Sequence, residues 1–467
     1  MSCTTLARKS LDNFTENPAL LAAHSGVVLK SLTDDVYLFR SNDEKFFIPA
    51  SNMKLFTTAA ALILLGTEFR YTTSLYTDGE TCDGLLNGNL IIRGVGDPTL
   101  SARFHAGGAD EIFSKWAEML LRLGVKKIAG DIVGDGSLFD ETYLGAGWAW
   151  DDVIHCYSAE ISALSVDDNC ISISVRPGAT AGEAPFIIAG DGSGYLTIRN
   201  QAVTVASEEK PILRLSRAPA SNLLTVSGAI SANTEEKLFF VTVHDPALYA
   251  AARLKRAMES KGIAVGGSIT GHPPQLGPIA YESMKIIASY TSPPLREVVR
   301  KINKTSLNLH AELLFRTLGK TFHGDGSAEA ATAVLKDTLA KMAISPDSVV
   351  VYDGSGLSRM NLVTPSAILA LLEYMHRHEN FSYFLDSLPV AGTDGTLKER
   401  LRNTSAEGRI FAKTGSMTHV LNLSGYLKDR KGRMFAFSIM TNNYAGPTET
   451  LKGLQDALLV SLVDLLD

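Results

Sequence analysis

The chain is short of several things, and each shortage excludes a class. Only four of its 467 residues are cysteine, at positions 3, 82, 156 and 170, too few for a disulfide-built scaffold of this length. No pair of them has the spacing of a zinc site. Basic charge does not dominate: 44 Lys and Arg face 50 Asp and Glu, a formal net charge of -6, and no basic run is present. Both facts argue against a general nucleic-acid binder. The longest apolar tract, Leu55 to Leu65, is about half of what a membrane span needs. The first residues, Met1-Ser2-Cys3-Thr4-Thr5-Leu6-Ala7-Arg8, contain no apolar signal region, so either the protein stays in the cytoplasm or a leader has been removed. Internal repeats and low-complexity segments are also lacking. What is there is globular in character: 45% hydrophobic, 20% charged, and long enough for two or three domains.

The two ends of the chain share one texture. Gly26-Val27-Val28-Leu29 and Val36-Tyr37-Leu38-Phe39 flank the turn cluster Thr33-Asp34-Asp35 and predict a hairpin. Near the other end, Arg409 to Ala412, His419 to Leu427 and Arg433 to Met440 read as three more strands, the last two joined at Asp429-Arg430-Lys431-Gly432. Together they predict one five-stranded antiparallel sheet with helices packed on it, a discontinuous α+β domain of residues 1–74 and 286–467. Residues 75–285 differ, with glycine turns and short β-branched runs such as Cys170-Ile171-Ser172-Ile173-Ser174-Val175. Helices from Asp110 to Leu123 and Pro246 to Lys261 interrupt this β-rich insertion, which has the length of one or two domains. From Pro294 helical spacing returns, over Leu295 to Asn303, Leu307 to Leu318, Ala328 to Lys341 and Pro365 to His378. The leucines from Leu451 to Leu465 predict a last helix closing the sheet domain. Cys156 and Cys170 flank a short polar segment, and a disulfide between them would close one loop.

Chemistry concentrates at Pro49-Ala50-Ser51-Asn52-Met53-Lys54. The proline and serine read as a helix start and Gly66 as its end, with only Thr57 and Thr58 polar between Leu55 and Leu65. A helix apolar on nearly every face is buried. Ser51 and Lys54, three apart, stack on one side of its N-terminal end. A serine becomes a nucleophile beside a base, and a lysine serves as that base only when burial or the helix dipole removes its proton near neutral pH. Alone, the pair reads equally as a capping serine and a snorkelling lysine. Ser207-Glu208-Glu209-Lys210 repeats the spacing in a charged run before Pro211 that reads as a solvated loop. Ser306-Leu307-Asn308 heads a helix whose other face is Leu313, Leu314 and Leu318, though Ser231-Ala232-Asn233 shows how easily that tripeptide arises. Lys413-Thr414-Gly415 occurs once, at the end of an apolar strand. The order Ser-x-x-Lys, Ser-x-Asn, Lys-Thr-Gly, each on the expected element, is the signature of an active-serine enzyme.

On these motifs the chain resembles the active-serine penicillin-binding proteins and serine β-lactamases. More narrowly it is similar to the low-molecular-mass class C D-alanyl-D-alanine carboxypeptidases. Gly94-Val95-Gly96-Asp97-Pro98-Thr99-Leu100, Asp353-Gly354-Ser355-Gly356-Leu357-Ser358-Arg359 and the stretch from Leu388 to Leu397 carry the same resemblance, as does the large insert, which β-lactamases lack. The resemblance implies a β-lactamase/transpeptidase-like fold whose insert is a second domain with a third nested inside it, at roughly 171–240. It implies Ser51 as the acylated nucleophile, Lys54 as its base, Ser306 as proton relay and Asn308 as holder of the substrate amide. Lys413 and Thr414 would face the substrate's terminal carboxylate beside Gly415, with Ser416 assisting; the N–H groups of Ser51 and Ser416 would form the oxyanion hole. Leu307 departs from the acidic or amide residue common at that variable position.

The segment Trp148 to Tyr157 resembles a substrate-recognition stretch, in which Asp152 would meet an amine of the stem peptide and Tyr157 would pack on its chain. Arg359 and Thr418 occupy positions lining the same cleft, while His155 and His419 match no role. Two lysines in one pocket repel, so Lys54 is expected to be the neutral base and Lys413 to keep its charge. The reading is a serine D,D-peptidase of the cell wall, extracytoplasmic by resemblance, acting on peptidoglycan stem peptides as carboxypeptidase and on D,D cross-links as endopeptidase. β-Lactams would acylate Ser51, and no metal or organic cofactor is implied. An esterase or D-amino-acid peptidase on the same scaffold, or a non-catalytic wall-binding protein, are the alternatives.

Overall fold

The structure, a computed structural model, describes residues 3–206, 211–272 and 276–466. Ser207 to Lys210, the second Ser-x-x-Lys, lie outside the described residues. The chain forms two compact units: residues 1–69 with 145–148 and 293–467, and residues 70–144 with 149–292. The divisions fall at 69/70 and 292/293 rather than 74/75 and 285/286. The reason is that Thr72–Thr77 and Lys285–Thr291 pair with each other, antiparallel, inside the second unit.

The first unit is built on five strands: β1 (His24–Ser31), β2 (Val36–Ser41), β3 (Ile410–Met417), β4 (Val420–Lys428) and β5 (Met434–Asn442). Their order is β2-β1-β5-β4-β3, antiparallel throughout. Alternation along each strand sends side chains to opposite faces. On one face Val27, Leu29, Leu421, Leu423, Phe435, Phe437 and Ile439 form a core with two helices, α1 (Cys3–Thr15) and the last helix of the unit, α8 (Thr448–Leu465). The first contributes Ala7, Leu11 and Phe14, the other Leu451, Leu458, Leu459, Leu462 and Val463. The N-terminal helix is an addition to the expected elements, although the spacing of Ala7, Leu11 and Phe14 is that of one helix face.

The remaining helices are α2 (Met53–Leu64), α3 (Leu295–Thr305), α4 (Asn308–His323), α5 (Ala328–Lys341), α6 (Pro365–Arg377) and α7 (Phe381–Ser387). Helix α6 lies on the other face of the sheet, where the Tyr426 hydroxyl donates to the Leu372 carbonyl at 2.8 Å. Helix α2 is buried from Met53 to Leu62, as its composition requires. Its two threonines are satisfied internally: Thr57 donates to Gly354 O at 2.7 Å and Thr58 to Lys54 O at 2.6 Å. Gly66, at φ 83°, follows its end.

The second unit centres on a mixed five-stranded sheet in the order Ile269–His272, Ile132–Asp135, Leu90–Arg93, Thr72–Thr77, Lys285–Thr291. Helices Gly108–Arg122 and Pro246–Ser260 pack against each other and share its core through Phe113, Trp116, Tyr249 and Leu254. Between residues 170 and 242 lie two three-stranded sheets, one of Phe186–Ala189, Cys170–Arg176 and Lys237–Thr242, the other of Thr197–Val205, Leu223–Ser231 and Leu213–Arg217. Cys156 and Cys170 form a disulfide. Among the described residues no helix is long and apolar enough to cross a membrane.

Candidate active site

Ser51 does not cap α2; it stands in a 3-10 turn, Ala50–Asn52, that leads into it. Ala50, immediately before it, takes a left-handed φ of 46°, a conformation that costs a non-glycine residue about 1 kcal/mol. The surroundings enforce it. Gly356, itself at φ 83°, packs so closely on the Ala50 carbonyl that a Cβ there would overlap the oxygen. Asn422 on β4 donates to Ile48 O and Pro49 O at 2.9 and 2.8 Å, and Asn52 donates to Ser424 Oγ at 2.7 Å. The turn is therefore pinned to the sheet on one side and to the 353–361 loop on the other.

One helical turn on, Lys54 is wholly buried, and its Nζ has three partners: Ser51 Oγ at 2.9 Å, Asn308 Oδ1 at 2.6 Å and the Ser355 carbonyl at 2.6 Å. Two of these are oxygens that only accept, whereas the hydroxyl can also donate. The protonated amine can donate to all three oxygens; once it loses a proton, the two pure acceptors keep its N–H bonds and its lone pair meets the Ser51 hydroxyl. Burial lowers the Lys54 amine to about 7, against the opposing pull of Asp353 and Glu312.

Ser306-Leu307-Asn308 joins this centre to a second amine. Ser306 ends α3 in a left-handed conformation, φ 59°, and α4 begins two residues later. That kink turns its hydroxyl toward Lys413, whose Nζ donates to Ser306 Oγ and to Thr414 O, both at 2.9 Å. Lys413 lies within β3, which runs on through the Lys-Thr-Gly motif to Met417 instead of ending at it. Gly415 brings this strand so close to Pro49 O that a side chain would not fit. The expected division of charge does not hold as stated: burial, and then repulsion by Lys54, place the Lys413 amine well below its ordinary value too.

The five residues expected to do chemistry fall in two hydrogen-bonded sets, Ser51–Lys54–Asn308 and Ser306–Lys413, joined by the 306–308 backbone and near enough for the two amines to repel. Thr414 meets Thr396, their hydroxyl oxygens 2.8 Å apart, and Ser416 is exposed on the same strand. Arg359 donates to Thr418 O at 3.2 Å, so these two are neighbours as well. Asp152 and Tyr157 belong to the second unit, where the phenol donates to the carboxylate at 2.5 Å and Tyr157 stacks on His155. His419 contacts a backbone carbonyl, Tyr444 O, at 2.9 Å through Nδ1.

Three participants escaped sequence reasoning. The Ser355 carbonyl is invisible because every residue has one, although the Asp-Gly-Ser-Gly turn carrying it stood out. Glu312 lies four residues after Asn308, on the same face of α4. Thr396 sits in a loop held by Asp394, which pairs with buried Lys304 at 2.7 Å. Among the described residues no group of His, Cys, Asp and Glu could hold a metal ion.

A five-stranded antiparallel sheet beside a buried helix whose head carries the serine–lysine pair is the β-lactamase/transpeptidase-like fold. The chain belongs to the D-Ala-D-Ala carboxypeptidase 3 (S13) peptidase family, whose model matches residues 7–462. It is 34% identical to a D-alanyl-D-alanine carboxypeptidase of Actinomadura sp. (strain R39), over 98% of this chain and 85% of that one. The crystal structure of penicillin binding protein 4 (dacB) from Haemophilus influenzae superposes with a TM-score of 0.84 at 28% identity, covering 97% of this chain and 99% of the other. The same protein complexed with a β-lactam superposes at 0.79 and 27% identity, over 98% of each chain.

Proposed function

We propose that the protein is a serine D,D-peptidase that hydrolyses the D-Ala-D-Ala terminus of peptidoglycan stem peptides by way of an acyl-enzyme on Ser51. The observation that carries this reading is the 2.9 Å contact between Ser51 Oγ and a Lys54 amine whose other two partners are pure acceptors. Lys54 takes the hydroxyl proton as Oγ attacks the carbonyl carbon of the penultimate D-Ala. The oxygen of the tetrahedral intermediate lies against the N–H groups of Ser51 and Ser416. The C–N bond then breaks, and the departing amine receives its proton through Ser306. Water, deprotonated by Lys54, attacks the ester, the ester C–O bond breaks, and the proton returns from Lys54 to Ser51 Oγ as the shortened peptide leaves. The terminal carboxylate sits against Lys413 and Thr414, and as an anion it favours the charged form of Lys413 that burial disfavours.

A β-lactam presents its strained amide to the same oxygen, but its leaving nitrogen stays tethered after ring opening, so the ester persists. A D,D cross-link differs from the terminal peptide only in its leaving amine, which supports endopeptidase activity at this site. Arg359 and Thr418 of the first unit would line the site around Ser51, and Asp152 and Tyr157, in the second unit, would meet an amine of the stem peptide and pack on its chain. The 170–242 sheets would be the nested domain of the insert. The Cys156–Cys170 disulfide supports an oxidising, extracytoplasmic location.

Incubation with a labelled penicillin followed by mass spectrometry tests the reading. One adduct on the Ser51 peptide, absent in Ser51→Ala, is expected, together with D-Ala release from D-Ala-D-Ala peptides. Labelling that survives Ser51→Ala would overturn it, and faster cleavage of esters than of D-Ala-D-Ala peptides would favour an esterase.

A further inference from the structure

Behind the base lies a group of buried ionisable side chains that the steps above leave unused. Glu312, only 1% exposed, lies one turn beyond Asn308 on α4. Its carboxylate accepts the backbone N–H of Ser355 at 2.7 Å and of Gly354 at 3.2 Å. Asp353, next in the loop, accepts from Gly356 N, Ser358 N, Asn361 Nδ2 and Trp148 Nε1, at 2.8, 2.6, 2.6 and 2.8 Å. These bonds fold residues 353–361 back on themselves, and the result is that the Ser355 carbonyl faces Lys54 Nζ at 2.6 Å. One face of α4 therefore supplies an acceptor for the amine directly, through Asn308, and the clamp for the other acceptor, through Glu312.

We propose that Glu312 is a positioning residue for the Lys54 base. It holds the Ser355 carbonyl on the amine, so that Asn308 and Ser355 take both N–H bonds and the lone pair is left facing the Ser51 hydroxyl. Its negative charge also offsets the ammonium that forms when Ser51 loses its proton. Asp353 from the loop acts in the same sense on Lys54, Lys413 on β3 is the neighbouring cation, and Arg316 on α4 faces Glu312. Burial, then Asp353, push the Glu312 carboxyl up, while its two N–H bonds and Arg316 hold it down. The inference rests on the acyl-enzyme reading above.

Glu312→Gln in the full chain tests it, because the amide keeps the shape, loses the charge and turns a donor toward a backbone N–H. Acylation by a fluorescent penicillin is expected to fall about ten- to a hundredfold, the cost of a slightly misplaced base. Non-covalent affinity before acylation is expected to stay within about twofold, and the acid limb of the rate profile to move to lower pH as the nearby negative charge is lost. Glu312→Asp, which keeps the charge, returns the limb toward its original position. Wild-type acylation in the Gln variant, or a loss with the limb unmoved and no return in Asp, overturns the proposal. If the Gln variant does not melt cooperatively, Glu312→Asp carries the test, because it keeps the charge but shortens the reach to the Ser355 N–H: slower acylation with the limb in place supports the clamp, and an unchanged rate overturns it. Failure of the wild-type protein to be labelled at Ser51 would instead sink the function itself, and that control is read first.

Discussion

Two of the buried lysines of the first unit, Lys54 and Lys413, are held in different ways. Lys54 rises from a helix, with its three contacts complete and carboxylates nearby to raise its basicity. Lys413 points from a strand, donates to one hydroxyl and one carbonyl, and has no ion-pair partner among the described residues. Burial disfavours the charged form of both amines, yet only the first is compensated by carboxylates. On the mechanism proposed above, the difference teaches that a base and an anion receptor can be made from the same side chain. A base needs its surroundings finished in advance, whereas a receptor is left short of negative charge until a ligand brings it.

The largest effect that could break this comparison is at Lys54. Lys54→Ala should slow acylation at least about a thousandfold, for peptide and β-lactam alike. In the unmodified enzyme the acylation rate should fall about tenfold per pH unit below about 7, because the amine there holds its proton and cannot accept another. A rate independent of pH through that range would remove Lys54 from the role of base. Next comes the turn that carries the nucleophile: Gly356→Ala should cost about 2 to 4 kcal/mol of stability by pushing on the Ala50 carbonyl, seen as a lowered denaturation midpoint.

Lys413→Ala should weaken acylation by D-Ala-D-Ala peptides about ten- to a hundredfold, as expected for losing one charge-assisted bond. The same variant should lose little further on a substrate whose terminal carboxylate is an amide. Equal losses on both substrates would mean that the two lysines are not divided as described. Smallest is Thr396→Val, which removes the hydroxyl beside Thr414 and should raise KM about two- to fivefold with kcat nearly unchanged.

Much of this was legible because it rests on periodicity. The hairpin of β1 and β2, the helical run from Leu295 to Lys341 and the three short motifs all announce themselves through spacing and turn residues. Ser306 and Lys413 were legible as types but not as partners, since their contact depends on a left-handed residue at a helix junction. The expectation that Lys413 keeps its charge failed because spacing says nothing of depth: a lysine in mid-strand is buried where one at a strand end is wet. The unit junctions shifted because strands Thr72–Thr77 and Lys285–Thr291 find each other across two hundred residues, a pairing no local pattern encodes.

The sheet order has a consequence for the growing chain. The early hairpin leaves the flank of β1 without its neighbour until β5, some four hundred residues later, is made. Through that interval an apolar strand is bare on one side, open to the wrong partner, and the enzyme stays inert because the amine opposite Ser306 has yet to be synthesised. Such a chain arms itself only once both flanks of its sheet have been made.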